Sequence, residues 1–535
     1  MSVIALALLV SCMPPDVPAP MQRALALADA ASIRARLKFL SDDVCEGRDP
    51  GSRGSRIAAQ YLVEQMKEIG LAPGMPDGTW FQPVPMTSIG TDLATSTVRL
   101  ISKGEAFPMT FRDEFVATDE SQEERADVDV DVVFVGYGIA SKAQNWDDYK
   151  SVDVRGKVLL MLVNDPPSDD PKVFGGKALT YFGRWTYKFE EAARRGAVGA
   201  ILMHRDSMAG YDWSVVKNSW GRPRPYVTGE TDARLKMAAW ISEPRLRQVL
   251  KPLRADVDEM IAAAGRPDFK PRPLDLRVKA TIVSKLTTLD SVNVLGLLEG
   301  GAKKDEVVVC TSHYDHLGKR AEDPGDNVYN GALDNASGCA ALLEVARMSK
   351  ALPEPPARSI LFAFVTAEES GLKGSEYFVL HPTFPREKIT ANVNLDGVTV
   401  NGVPADYVAM GFDRSTLKPV MEEVAKQFDV ALAPDPKPDL GHFYRSDHFN
   451  FAKAGIPVIY LTAGFTFRDK PLTWGREQSD EYLKLRYHRP TDQYEPTWDL
   501  MGAVQTARMT AVLTWRIAGL AEMPRYLPGD EFAVR

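Results

Sequence analysis

The amino-acid sequence predicts an α/β fold, a mixed and mostly parallel sheet flanked by helices, interrupted by a β-rich segment. Three observations predict it. Beyond Lys279, short apolar runs suited to buried strands alternate with helical stretches. Acidic residues and histidines gather just after those runs, where open α/β sheets collect their ligands. At 535 residues the chain exceeds what one hydrophobic core usually serves, so at least two globular units are expected.

Taken in order, residues 1–20 read as a targeting segment. The apolar run Val3 to Val10 is too short to span a bilayer and ends in Leu9-Val10-Ser11-Cys12, which resembles a bacterial lipobox. Cleavage before Cys12 and a lipid anchor on its thiol are expected, in a protein exported to the periplasm or anchored to a bacterial membrane. Residues 21–125 read as the N-terminal part of the main domain. Apolar positions recur at helical spacing from Ile33 to Leu40 and from Ile57 to Ile69, around a Gly/Pro-punctuated loop. In that loop, Arg48 reads equally as part of a plain turn or as a group reaching a cleft.

Residues 126–275 change to short β-type runs, such as Val128 to Val135 and Lys157 to Val163, with a helix from Tyr187 to Gly196. Residues 276–535 complete the main domain. There the expected elements are a strand at Val307–Cys310, a helix at Ser337–Met348, a strand at Ser359–Val365, a helix at Gly374–His381 and a strand at Ala391–Leu395.

Composition narrows the function. Hydrophobic residues at 44% and charged residues at 25% are ordinary globular values, and the net charge of −8 gives no electrostatic case for nucleic acid. Apart from Cys12, the cysteines Cys45, Cys310 and Cys339 are too few for a disulfide framework. Buried free thiols are expected, with a Cys310–Cys339 bridge the alternative in an oxidising compartment. Nothing in the sequence specifies an oligomeric state.

The chemistry lies at the strand ends. The strand at Val307 runs into His313 and Asp315, and the loop before the next helix carries Asp334-Asn335. The strand at Ser359 ends in Glu368-Glu369, the strand at Ala391 ends in Asp396, and a later loop reaches Tyr487-His488. Imidazole nitrogens and carboxylate oxygens suit zinc. Several carboxylates in one cleft repel each other unless cations neutralise them, which a two-metal cluster does. In the tandem Glu368-Glu369, one residue can bind metal while its neighbour takes a proton from water.

In this order, these residues resemble those of the co-catalytic di-zinc exopeptidases, the family of bacterial leucyl-type aminopeptidases, glutamate carboxypeptidase and glutaminyl cyclases. The likeness covers residues 31 to 520 and implies a phosphorylase/hydrolase-like catalytic domain. Residues 126–275 resemble the protease-associated domain, through Gly136-Tyr137-Gly138-Ile139, Asp147-Asp148-Tyr149 and the spacing of Lys188, Ala192, Ala193, Gly196 and Gly199. The resemblance implies two Zn(2+) ions, one on His313 and Asp396, the other on Glu369 and His488, with Asp334 bridging. It implies Glu368 as general base, Asp315 holding the His313 ring, a cis peptide at Asp334–Asn335, and a Tyr487 phenol on the oxyanion; a packing role is the alternative for Tyr487. Peptide substrates and release of N-terminal amino acids follow as the expected activity. The alternatives are a glutamate-releasing carboxypeptidase, with Arg445 and Arg489 as candidate carboxylate clamps, and a non-catalytic receptor-like binding protein. Metal binding by Asp447 or His448 is not expected, and His316 is expected to line the pocket or support a ligand. The segment Thr466 to Arg486 is longer and more charged than in relatives, and reads as a candidate lid.

Overall fold

The computed structural model describes residues 17–533 apart from 143, 151, 171, 210, 230–233 and 321–324. Cys12 and the lipobox lie outside the described residues. The chain divides into two compact units, the first of residues 1–84, 290–436 and 445–535, the second of residues 85–289 and 437–444. Among the described residues, no helix is long and apolar enough to cross a membrane.

The first unit is built on a mixed sheet, in which Phe81–Thr91 also pairs with the long strand Arg272–Leu298. Its strand order is Ala72–Pro73, Arg272–Leu298, Arg358–Val365, Lys303–His313, Ile389–Asn394, Val458–Ala463, Asp406–Met410 and Ala431–Leu432. The four strands from Arg358–Val365 to Val458–Ala463 are mutually parallel. Parallel strands are covered on both faces, and every residue of Val307–His313, Arg358–Val365 and Ile389–Asn394 is buried. That double burial is why the centres of Val307–His313 and Arg358–Val365 read as continuous apolar runs, whereas Ile389–Asn394 carries Thr390, Asn392 and Asn394.

Helices Ala30–Leu40, Arg53–Ile69, Ser337–Lys350 and Met501–Gly519 contribute to one continuous core with the sheet. Local chemistry sets their ends. Asp29 accepts from Ser32 N at 2.8 Å and Ser52 accepts from Ser55 N at 3.0 Å, each satisfying an otherwise orphaned first-turn amide. Gly70 closes Arg53–Ile69 in a left-handed conformation at φ 88°. Helices Lys373–Leu380 and His448–Lys453 pack on each other, with Phe378 and Phe451 centroids 5.7 Å apart.

The second unit has its own sheet, in the order Glu105–Pro108, Thr97–Ser102, Arg272–Leu298, Arg125–Phe134, Val158–Leu162, Gly199–His204, Met237–Ser242 and Phe115–Thr118. Strand Arg272–Leu298 pairs within this unit over 272–283 and within the first over 294–298. The unit's main segment runs from Pro85 to Leu289, wider than the 126–275 read from texture, and residues 437–444 join it. Strands Thr97–Ser102 and Phe115–Thr118 pair with Arg272–Leu298 and Met237–Ser242, so their partners lie more than a hundred residues away in the chain and local pattern could not assign them. The unit is also less purely β than expected. Four adjacent strands from Arg125–Phe134 to Met237–Ser242 are parallel, and helices Trp185–Arg194, Glu243–Leu250 and Val257–Ala264 accompany them.

The cysteines Cys45, Cys310 and Cys339 are free and buried, so the alternative of a Cys310–Cys339 bridge is not realised. Cys310 faces the Thr514 hydroxyl at 3.5 Å, and Cys339 donates to the His313 carbonyl at 3.1 Å.

Within the second unit, the fully buried Lys188 donates its ammonium to the Tyr137 carbonyl at 2.5 Å and the Asn164 carbonyl at 3.1 Å. Burial pulls its pKa from 10.5 down to about 8, against the opposing charges of Asp165 and Asp148. Between those two values the unfolded chain binds more protons than the folded one, so this group makes stability rise with pH across that window. Thermal melts of the whole chain from pH 8 to 10.5 are expected to show a rising midpoint for the transition that exposes this unit. The Lys188→Met variant is expected to lack the rise.

Candidate metal centre

Strand register brings the expected ligands together. His313 stands opposite Val365, three residues before Glu368, and Thr311 stands opposite Asn394, two before Asp396. All three chain segments therefore leave the sheet at the same edge. At Ala367 the backbone turns left-handed, at φ 55°, immediately before the tandem glutamates. Gly331 opens the Asp334 loop at φ 56°, and a Cβ there would lie 2.3 Å from the Asp334 carbonyl oxygen and 2.5 Å from the His316 ring, so only glycine fits.

Two donor groups result, sharing Asp334. His313 Nε2 lies 3.1 Å from Asp396 Oδ1 and 3.2 Å from Asp334 Oδ1. His488 Nε2 lies 3.2 Å from Asp334 Oδ2 and 3.0 Å from Glu369 Oε2. The two oxygens of Asp334 thus face different histidines, the disposition a bridging carboxylate requires. A tetrahedral zinc with ligands at roughly 2.0–2.1 Å holds its donors roughly 3.3 Å apart. The separations of 3.0–3.2 Å match that spacing, so the residues fit zinc.

The supporting groups are backbone donors and buried side chains. Asp315 is fully buried, and its carboxylate accepts the amides of Glu368 at 3.1 Å and Glu369 at 3.4 Å. The His313 ring Nδ1 stands 3.3 Å from the Asp315 carbonyl and 3.6 Å from its carboxylate. The Asp315 carboxylate thus faces the His313 ring at 3.6 Å, where, against the opposing effect of burial, it helps to raise the ring's basicity, and it also accepts the amides of the Glu368-Glu369 turn. Asp492 accepts the amides of Leu333 and Asp334 at 3.1 Å each. Asp334–Asn335 is a cis peptide. Asn335 donates to Ser312 Oγ at 3.0 Å and the Leu395 carbonyl at 3.2 Å, and accepts from Gly397 N at 2.8 Å, which links the His313, Asp334 and Asp396 loops.

Electrostatics follow from crowding. Burial opposes ionisation of Glu369, yet the charges of His488 and His316 outweigh it and hold its carboxyl down to about 2. Burial likewise disfavours the His488 cation, but Glu369 and Asp334 raise its pKa to about 10. Glu368 behaves oppositely to its neighbour. Burial pushes its carboxyl well above the ordinary range against the pull of His313, and the charges of Asp396, Glu369 and Asp447 push the same way. The tandem pair is thus split, with Glu369 favouring the ionised form that a ligand needs and Glu368 having the higher proton affinity, the direction that makes a carboxylate a stronger base.

Other expectations distribute as follows. Tyr487 stacks on His488 with centroids 3.9 Å apart, touches Tyr482 edge-on, and is 41% exposed. Asp447 is buried and takes a hydrogen bond from Ser375 Oγ at 2.6 Å, outside the two donor groups. The Thr466 to Arg486 segment forms helix Trp474–Leu485, in which Gly475 is the one buried residue among those described, with Leu472 85% exposed ahead of it.

Two residues carry more than the sequence reading gave them. His316 is buried with Nδ1 2.7 Å from Glu369 Oε1, so it grips the oxygen that His488 leaves free, and its ring nitrogen also meets the geometric requirements of a donor beside Asp334 and Glu369. Arg48 is fully buried, and its guanidinium lies among backbone carbonyls of the ligand-bearing loops. The signal for His316 was its position one residue after Asp315. For Arg48 the local sequence carried no signal, because three of its four carbonyl partners lie 266 to 283 residues onward.

Residues 293–512 match the sequence model of peptidase family M28. Leupeptin-inactivating enzyme 1 of Streptomyces exfoliatus is 31% identical over 237 residues, 43% of this chain and 49% of that protein. Aminopeptidase YwaD of Bacillus subtilis (strain 168) is 28% identical over 222 residues, 41% of this chain and 43% of that protein. Aminopeptidase NAALADL1 of Rattus norvegicus is 35% identical over 119 residues, 14% of its length. The aligned parts thus span half or less of these curated relatives. Among solved structures, an aminopeptidase from Aneurinibacillus sp. strain AM-1 shares the fold at a TM-score of 0.52 and 18% identity, over 94% of this chain and 97% of that one.

The Asp315→Asn variant keeps one acceptor oxygen for two amides. It is expected to bind zinc about 10–100-fold more weakly, as outer partners of metal ligands typically do when altered, read by competition with a chromophoric chelator.

Proposed function

We propose, from the premise that residues 293–512 form a peptidase family M28 domain, that this chain is a zinc-dependent exopeptidase that releases N-terminal amino acids from peptides. The single observation that carries the reading is the convergence of His313, Asp334 and Asp396 with Glu369 and His488 around the two oxygens of Asp334. That disposition supports two zinc ions, with Asp334 between them.

Zinc held there would supply Lewis-acid chemistry, polarising a scissile carbonyl and acidifying a water molecule. The remaining work falls to the chain's own groups. Glu368 takes the proton of the attacking water and returns it to the leaving amine, a task suited to a carboxyl whose pKa burial has raised. Asp315 fixes Glu368 by accepting its amide. Tyr487, stacked on the His488 ring, is the phenol assigned to donate to the oxyanion that develops. A free α-amine suits a cleft with this many carboxylates, and the names of the aminopeptidase relatives point the same way.

The second unit, with its mixed sheet and its Lys188 motif, is assigned to binding or gating in the manner of a protease-associated domain. Export with lipidation at Cys12 completes the reading, resting on the N-terminal sequence alone.

A mixed peptide pool incubated with the purified protein and followed by mass spectrometry tests it. Stepwise loss from free N-termini is expected, abolished by chelator and reduced about 10²–10⁴-fold by Glu368→Gln, the usual cost of losing a general base. Trimming from C-termini would overturn the aminopeptidase reading in favour of a carboxypeptidase, and intact peptides would favour a binding role.

A further inference from the structure

The loop Asp43–Arg48 contributes no side chain to the donor groups around Asp334, yet its last residue lies at the centre of the loops that carry them. We propose that Arg48 is a positioning residue that assembles the metal centre before metal arrives, by tying the loop after His313 to the loop before Asp334. The inference rests on reading the cluster as a zinc site.

The geometry is specific. Arg48 Nε donates to the Tyr314 carbonyl at 2.7 Å, between His313 and Asp315. One terminal nitrogen donates to the Asn330 carbonyl at 2.6 Å and to the carbonyl of Leu40, and the other donates to the Gly331 carbonyl at 2.9 Å. One planar group therefore holds three chain segments: the end of helix Ala30–Leu40, the His313 loop and the Asp334 loop. The side chain is fully buried, and among the described residues it forms no ion pair. A guanidinium keeps its charge at any accessible pH, and a buried charge is tolerated only when its donors are satisfied. Carbonyl oxygens of the ligand loops are what satisfy it here. Moving either loop would strand a buried cation, so the native loop arrangement is favoured even with no metal bound.

The backbone around Arg48 supports the same role. Glu46, Gly47 and Arg48 are successively left-handed, at φ 49°, 67° and 53°, a run that residues with a Cβ adopt only where surrounding contacts impose it. A Cβ on Gly47 would lie 2.6 Å from both the Gly318 and Tyr329 carbonyl oxygens, so the loop is wedged against the short ladder that joins His316 to Asn330. Asp43 adds a second tie, accepting from Asn330 Nδ2 at 2.9 Å. The Arg48 carbonyl in turn receives the His316 amide at 3.4 Å, next to the ring that grips Glu369. Lysine cannot replace this function, because an ammonium is a single point that does not reach three separated carbonyl groups in one plane.

The test uses the full chain stripped of metal, with zinc as the probe. Zinc affinity is measured by chelator competition, and amide exchange of segments 314–316 and 330–334 is followed by mass spectrometry with and without zinc. In the metal-free wild-type protein these segments are expected to exchange almost as slowly as in the zinc-loaded one. Arg48→Lys is expected to bind zinc at least about tenfold more weakly, with fast exchange confined to these segments while helix Met501–Gly519 stays protected. Unchanged zinc affinity in a folded Arg48→Lys protein would overturn the proposal. So would fast exchange of both segments in the metal-free wild-type protein, a comparison that decides even if the variant does not fold. Absence of zinc binding by the wild type would instead remove the metal reading on which the proposal stands.

Discussion

Like charges do not gather in a buried place unless something of opposite sign joins them, and this constraint shapes the first unit. Asp334, Glu369 and Asp396 converge on two imidazole nitrogens, with Glu368 a further carboxyl alongside. Among the protein groups alone, the balance is struck by protons, which the carboxylates keep on His488 up to a pKa of about 10. Divalent cations answer the same field better, since binding them releases those protons. Affinity for metal and acidity of the surroundings are therefore two expressions of one arrangement.

Holding such a cluster in place needs rigidity that side chains alone cannot supply. The parallel strands provide the first part, because their register fixes where His313, Glu368 and Asp396 leave the sheet. Backbone hydrogen bonds provide the second. Asp315, Asn335 and Asp492 spend their polar atoms on amides and carbonyls of the ligand loops and not on solvent. Each is a short side chain with few rotamers, so ordering it forfeits little conformational entropy.

The sequence made legible whatever depends on neighbours along the chain. Buried strands appear as short, largely apolar runs, and His313, Glu369 and Asp396 stand at their ends or a few residues beyond, while Asp334 and His488 lie in longer loops; all five could be named as candidates from the sequence. What escaped depends on partners far away in the chain. The second unit starts at Pro85 because Thr97–Ser102 pairs with residues 276–281, and nothing near position 97 encodes that pairing. Arg48 looked like part of a turn, since its four carbonyl partners come from three separate segments. The role of Asp315 lay between these cases. Its importance was visible from its place in the motif, but the target of its carboxylate is set by the left-handed turn at Ala367, which the sequence does not announce.

The thiols of the first unit have a consequence for how the molecule behaves when it opens. Burial pushes Cys45 and Cys339 up to about 11 and Cys310 up to about 12, so at neutral pH all three are held as the unreactive thiol. Cys339 lies one hydrogen bond from the His313 backbone, yet offers no thiolate to compete with imidazole for a soft metal. Reaction with an alkylating reagent requires both exposure and ionisation, and unfolding grants the two together. The three sulfurs thus act as a chemical clock for the opening of this unit, counting the moments in which strand, helix and ligand loops part company.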